Sequence, residues 1–120
     1  MDFGEWEGLA YQDIACKWPK EAETYISKPY KLQIPGGETF IVLQQRALRT
    51  IYRIIDDNKN KTAVIITHGA FIAALLTAVM HMPLRDICLL QQANTSVNIL
   101  LRKNDRWRVE LINGTAHLEM

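Results

Sequence analysis

Residues 62–76 read TAVIITHGAFIAALL, and the change of pattern inside this stretch decides the fold class. Thr62 to Thr67 is β-branched and apolar on both faces, the pattern of a strand covered from both sides in a parallel or mixed sheet. The run that follows, AFIAALLTAVM at 70–80, predicts a helix stopped by Pro83. Between them, Thr67-His68-Gly69 forms a strand-to-helix junction. A residue at such a junction points into the crevice where open α/β sheets bind ligands. The first turn of the next helix aims unpaired N–H groups and a partial positive charge at the same crevice, which favours an anion such as phosphate. His68 adds a ring N–H donor and, once protonated, a full positive charge. Gly69 lets the chain turn tightly and lets a ligand approach the backbone. The local pattern suits a capping histidine equally well.

Working outward toward the C terminus, Ser96 to Leu101 and Trp107 to Ile112 predict two more strands. They are joined as an antiparallel hairpin by a four-residue turn, Lys103-Asn104-Asp105-Arg106. Toward the N terminus, Glu38 and Thr39 open the clearest helix. Leu43, Ala47, Ile51, Ile54 and Ile55 fall on its apolar stripe, while Gln44, Gln45, Arg49 and Arg53 face water. Residues 28–37 contain Pro29 and Pro35-Gly36-Gly37 and predict an ordered loop. Asp13 to Ser27 has helical spacing, with Pro19 in a first turn or breaking it. Asp2 to Gly8 predicts a loop or turn. The fold class is therefore α/β, a mixed sheet flanked by helices with an antiparallel hairpin near the C terminus.

The 120 residues, 48% of them hydrophobic, suffice for one domain with a substantial core and are too few for two. Fourteen basic and thirteen acidic side chains leave a net charge of +1, and no like-charged run suggests a nucleic-acid or membrane-surface partner. No apolar stretch approaches the ~20 residues of a membrane span. Asp2 and Glu5 contradict a secretory signal, so a cytoplasmic protein is expected. Cys16 and Cys88 lack metal-site spacing and are expected to be reduced and mostly buried. His81 near a helix end and His117 in the polar tail predict structural or solvent roles. No metal or organic cofactor is implied.

FGEWEG at 3–8, PGGET at 35–39, Arg46 on the following helix, IITHGAFIAALL at 65–76 and NTSVNILL at 94–101 occur in an order and at distances that resemble the histidine phosphatase (phosphoglycerate mutase-like) superfamily. The resemblance covers the whole chain. It is nearest to the branch of α-ribazole-5'-phosphate phosphatases, enzymes of cobalamin biosynthesis, and of broad-specificity phosphatases. It implies phosphoryl transfer to a histidine in an N-terminal Arg-His-Gly motif, with a glutamate as proton donor and two arginines and a second histidine on the phosphoryl oxygens. His68 maps onto that second histidine, with Gly69 and Ala70 completing its half of the phosphate cradle. Trp6, Glu7 and Trp18 are candidates for a substrate-pocket wall, although large aromatics near a loop more usually pack.

The departures from the family pattern matter more than the matches. No Arg-His-Gly occurs in these 120 residues, and the positions of the clamp arginines and the proton donor fall upstream of Met1. The resemblance thus implies a single domain at 1–120 lacking the nucleophile-bearing segment, a phosphatase-family protein inactive as an isolated chain. The alternatives are a non-catalytic phosphate-binding or interaction module, or half of a two-chain phosphatase. The expected ligand is a small phosphorylated metabolite or inorganic phosphate. In the family fold the Arg-His-Gly strand lies between the strands matching 62–67 and 96–101. Without it, these two are expected to pair directly or to recruit a second copy as a twofold homodimer.

Overall fold

The computed structural model describes residues 1–119. Four α-helices precede the hairpin: α1 (Tyr11–Lys17), α2 (Pro19–Ser27), α3 (Phe40–Asp57) and α4 (Gly69–Val79), followed by strands β1 (Val97–Lys103) and β2 (Arg106–Gly114). Short 3-10 segments lie at Gly4–Trp6, Pro29–Lys31, Leu84–Leu90 and Ala116–Leu118. The 13–27 stretch is indeed broken by Pro19, which starts α2 as its first helical residue, where its missing N–H costs nothing.

Helix α3 begins where the sequence places a cap. The Thr39 hydroxyl accepts from Val42 N–H at 3.2 Å, satisfying a first-turn donor that has no partner within the helix. Phe40, Leu43, Ala47 and Ile51 are buried along one stripe and pack against α4. Gln44 departs from its expected water-facing role. It is half-buried, and its Nε2 donates at 2.9 Å to Thr77 Oγ1 on α4. Thr77 is itself fully buried, so its hydroxyl needs this partner and the Ala74 carbonyl, to which it donates at 2.7 Å.

Helix α4 is apolar all round and buried on most of its surface, including Phe71, Ala73, Ala74, Leu75, Leu76 and Val79, as expected of a core helix. It ends in two bonds, His81 N–H to Ala78 O at 3.2 Å and Met82 N–H to Thr77 O at 2.8 Å, with His81 left-handed at φ 55°. That pairing is a Schellman ending with a histidine where glycine is usual.

The hairpin turn is the four-residue Lys103–Arg106, with Asn104 and Asp105 as its two central residues. Asn104 and Asp105 both have positive φ (51° and 58°), the conformation that matches strand twist in a tight hairpin. The pairing runs from Lys103↔Arg106 to Val97↔Gly114, with irregularities around Ile99. Leu100, Trp107, Val109 and Ile112 face the main core. A second cluster of Trp6, Ile14, Ala22, Leu32 and Ile34 sits under the N-terminal loop, and Met1 touches both clusters.

Residues 62–67 are the main correction. Among the described residues they form no strand, and the sheet is the β1–β2 pair. Of the two outcomes expected for 62–67 and 96–101, direct pairing and the favoured twofold dimer, the direct pairing does not occur. The hairpin is instead held on α3, where Trp107 Nε1 donates to Tyr52 Oη at 3.4 Å. Arg102 also lies over both rings, at 5.4 Å from Tyr52 and 5.1 Å from Trp107. Val64 and Ile66 are left 88% and 95% exposed. The cysteines depart from expectation too: Cys16 and Cys88 are free thiols but exposed rather than buried. No helix is long and apolar enough to cross a membrane among the described residues.

Candidate functional site

His68 is the N-cap residue of α4, with extended φ and ψ of −116° and 158°, and its side chain makes no capping bond. The first backbone bond of the helix runs from Ile72 N–H to His68 O at 3.1 Å. The amides of Gly69, Ala70 and Phe71 therefore lie ahead of the first helical bond. His68 and Gly69 are exposed and Ala70 is half-buried. His68, Gly69 and Ala70 thus form one helix start without a side-chain cap, with the exposed His68 as its N-cap residue.

The loop at 91–96 forms its neighbour. A Cβ added to Gly69 would stand 3.4 Å from Gln92 Cβ. Gln92 is held by three bonds: its Nε2 donates to Leu90 O at 3.1 Å, and its Oε1 accepts from Ser96 Oγ at 3.1 Å and Asn98 Nδ2 at 2.7 Å. Asn98 Oδ1 accepts from Asn113 N–H at 2.9 Å, and Asn113 Oδ1 from Ala93 N–H at 2.8 Å. This circuit ties the loop to both strands. His117 braces it as well, its Nε2 lying 3.0 Å from Thr95 O, which fits the structural role read for it.

The three pocket candidates separate. Trp6 and Glu7 line a cleft of about 470 Å³ with Phe3, Leu9, Tyr11, Ile14 and Tyr25, a size in the range of small-molecule sites. Trp18 does not line it. It packs against Trp6 with ring centroids 6.4 Å apart, while Tyr25 meets Trp6 edge-on at 6.0 Å. Trp6 is 4% exposed, and its buried Nε1 has no partner among the described residues. Glu7 Oε1 accepts from Phe3 N–H at 3.2 Å, so this carboxylate braces its own loop. No group of three or more His, Cys, Asp or Glu that would suit a metal occurs among the described residues.

Two residues near the site were misread or unread in the sequence. Glu38 was expected as an early-helix carboxylate. It instead precedes the cap and takes Arg46, with Nε to Oε2 at 2.7 Å and Nη2 to Oε1 at 3.0 Å. Arg46 also lies 5.9 Å over the Phe71 ring of α4. This fork lowers the Glu38 pKa and raises that of Arg46. Its hydrogen bonding is the largest cause in each case and is opposed by desolvation. The sequence placed both residues in the family pattern, Glu38 in PGGET and Arg46 on the following helix, but nothing in it paired them.

A model of the histidine phosphatase superfamily (branch 1) matches residues 1–115. Phosphoglycerate mutase-like protein 4 of Arabidopsis thaliana is 30% identical over 97% of this chain and 50% of its own length. The structure of YhfR from Bacillus stearothermophilus superposes with a TM-score of 0.93 at 28% identity, over 98% of this chain and 59% of that one. The α-ribazole phosphatase from Shigella flexneri shares the fold, with a TM-score of 0.79 at 18% identity over 95% and 56% of the two chains. The chain thus spans about half the length of the relatives it matches.

Proposed function

We propose, since the chain belongs to branch 1 of the histidine phosphatase superfamily, that it carries one half of a phosphomonoesterase active site and is silent as a hydrolase when these 120 residues stand alone. The observation that carries the reading is the uncapped start of α4 with the exposed His68 beside it. The amides of Gly69, Ala70 and Phe71 and the His68 ring would take the oxygens of a phosphoryl group, matching the charge that builds on them during transfer. The ligand is a small phosphorylated metabolite or inorganic phosphate. Its remainder would rest in the aromatic cleft that Trp6 and Glu7 line. The family nucleophile is an Arg-His-Gly histidine, and these residues contain none.

The chain alone is expected to hydrolyse p-nitrophenyl phosphate no faster than buffer, because these residues supply no nucleophile, clamp arginines or proton donor to act with His68. Phosphate at millimolar concentration should still move the His68 ring and Ala70 amide resonances. A steady turnover abolished by His68→Ala would overturn the silence, and indifferent His68 resonances would overturn the half-site.

The exposed 62–67 segment favours an assembly reading as well: a twofold homodimer in a cytoplasmic setting. Half of a two-chain phosphatase is the competing assembly. Mixing the chain with a separate polypeptide that bears an Arg-His-Gly segment would distinguish them by gain of turnover.

A further inference from the structure

The N-terminal loop and the turn before α3 meet backbone to backbone. Glu38 N–H donates to Asp2 O at 2.8 Å and Glu5 N–H to Pro35 O at 2.9 Å. An added Cβ at Gly37 would stand 2.9 Å from Asp2 O, and one at Gly4 would stand 2.4 Å from Pro35 O. Both glycines are therefore required by the approach itself. The Glu38 carboxylate closes this junction by accepting from Asp2 N–H at 3.1 Å as well as from both Arg46 nitrogens.

The Glu38 side chain is 9% exposed and that of Arg46 42%. A half-open pair of this kind adds little stability, but its fork fixes direction as a single ammonium would not. The direction matters because Arg46 has two neighbours. One is Glu38, which anchors the loop carrying Phe3, Trp6 and Glu7, and the other is Phe71, three residues after His68.

We infer that Glu38 and Arg46 are positioning residues that set the cleft wall at 3–8 in register with the first turn of α4, so that loosening the pair degrades anion binding at His68. This inference rests on the half-site reading above. The pair touches neither cleft nor anion and acts through the loop on one side and Phe71 on the other.

The test compares the 120-residue chain, Glu38→Gln and Arg46→Lys by amide exchange and by titration with inorganic phosphate. Glu38→Gln keeps an oxygen for Asp2 but loses the charge, and Arg46→Lys keeps the charge but loses the fork. In both, the amides at positions 5 and 38 should exchange about tenfold faster while Leu43 and Ala47 in α3 are unchanged. The phosphate-induced shift at Ala70 should fall by roughly half or more, the effect expected when preorganisation is lost. Loosened loop amides with an undiminished Ala70 response would overturn the inference, since the pair would then only fasten the loop. If the parent chain shows no phosphate response, the half-site reading has failed. The positioning claim is then judged on the resting Gly69 to Ile72 amide shifts, and it falls if neither variant moves them.

Discussion

Glu38 carries more of the local order than its place ahead of the α3 cap suggests. Three N–H donors converge on one carboxylate, and each is worth more to the charged form than to the protonated acid. The Arg46 bond is the largest cause of its lowered pKa, desolvation opposes it, and the Asp2 amide adds to the lowering. A carboxylate whose folded pKa lies below its ordinary 4.5 stabilises the fold above that value. The contribution is lost as pH falls from there through the folded pKa. With Arg46 42% exposed, solvent screening holds it to roughly 1 kcal/mol. Thermal unfolding of the parent chain and Glu38→Gln should therefore differ at pH 7 and converge as the buffer is taken well below pH 4.5. A gap that stays constant from neutral to acid would show that the charge is not what Glu38 contributes.

At the level of elements, the ending of α4 holds a correctable strain. His81 occupies the left-handed position of a Schellman ending at φ 55°, which costs an L side chain about 1 kcal/mol relative to glycine. His81→Gly should raise stability by roughly 0.5 kcal/mol, part of the relief being offset by the greater freedom of glycine in the unfolded chain. His81→Ala should not raise it, and a calorimetric scan showing equal gains for both would point to loss of the imidazole instead. The ending itself was only half legible in the sequence: Pro83 forecast a stop, but nothing local marks a histidine as left-handed. Helix α3 was legible because its information is local, a capping threonine followed by a stripe of 3.6-residue period. The hairpin and its turn at Lys103–Arg106 were legible for the same reason. The 62–67 strand was not, because a β-rich pattern states a preference while a strand needs a partner supplied from elsewhere. His68 was placed correctly at the head of α4, yet Gln92, Glu38 and Arg46 owe their places to contacts between elements. The Gln44–Thr77 bond, spanning 33 positions, shows how a residue read as water-facing is claimed by a distant helix.

For the whole molecule, the radius of gyration is 15.9 Å, against about 14 Å for a compact domain of this length. The chain also leaves apolar surfaces open. Val64 and Ile66 stand out from the unpaired 62–67 segment at 88% and 95% exposure. On the outer face of the hairpin Val97, Ile99, Leu101 and Leu111 are 38% to 42% exposed. Two costs are concentrated in 62–67: apolar side chains in water and backbone groups free to template another chain. Both are relieved if a second copy docks there, and a twofold arrangement repeats the relief symmetrically. The chain should therefore self-associate at low micromolar concentration, with its scattering mass at the dimer. Two variants separate the contributions. Val64→Lys with Ile66→Lys leaves the backbone able to pair but makes the exposed face repel its copy, whereas Ile65→Pro removes one ladder donor and leaves Val64 and Ile66 in place. If edge pairing holds the dimer, Ile65→Pro yields monomer. If face packing holds it, the lysine pair does. Because 62–67 is exposed and α3 and α4 pack without its Val64 and Ile66 side chains, helical circular dichroism should be unchanged in both variants. A parent chain that scatters as a monomer at all concentrations would show that neither open surface recruits a second copy.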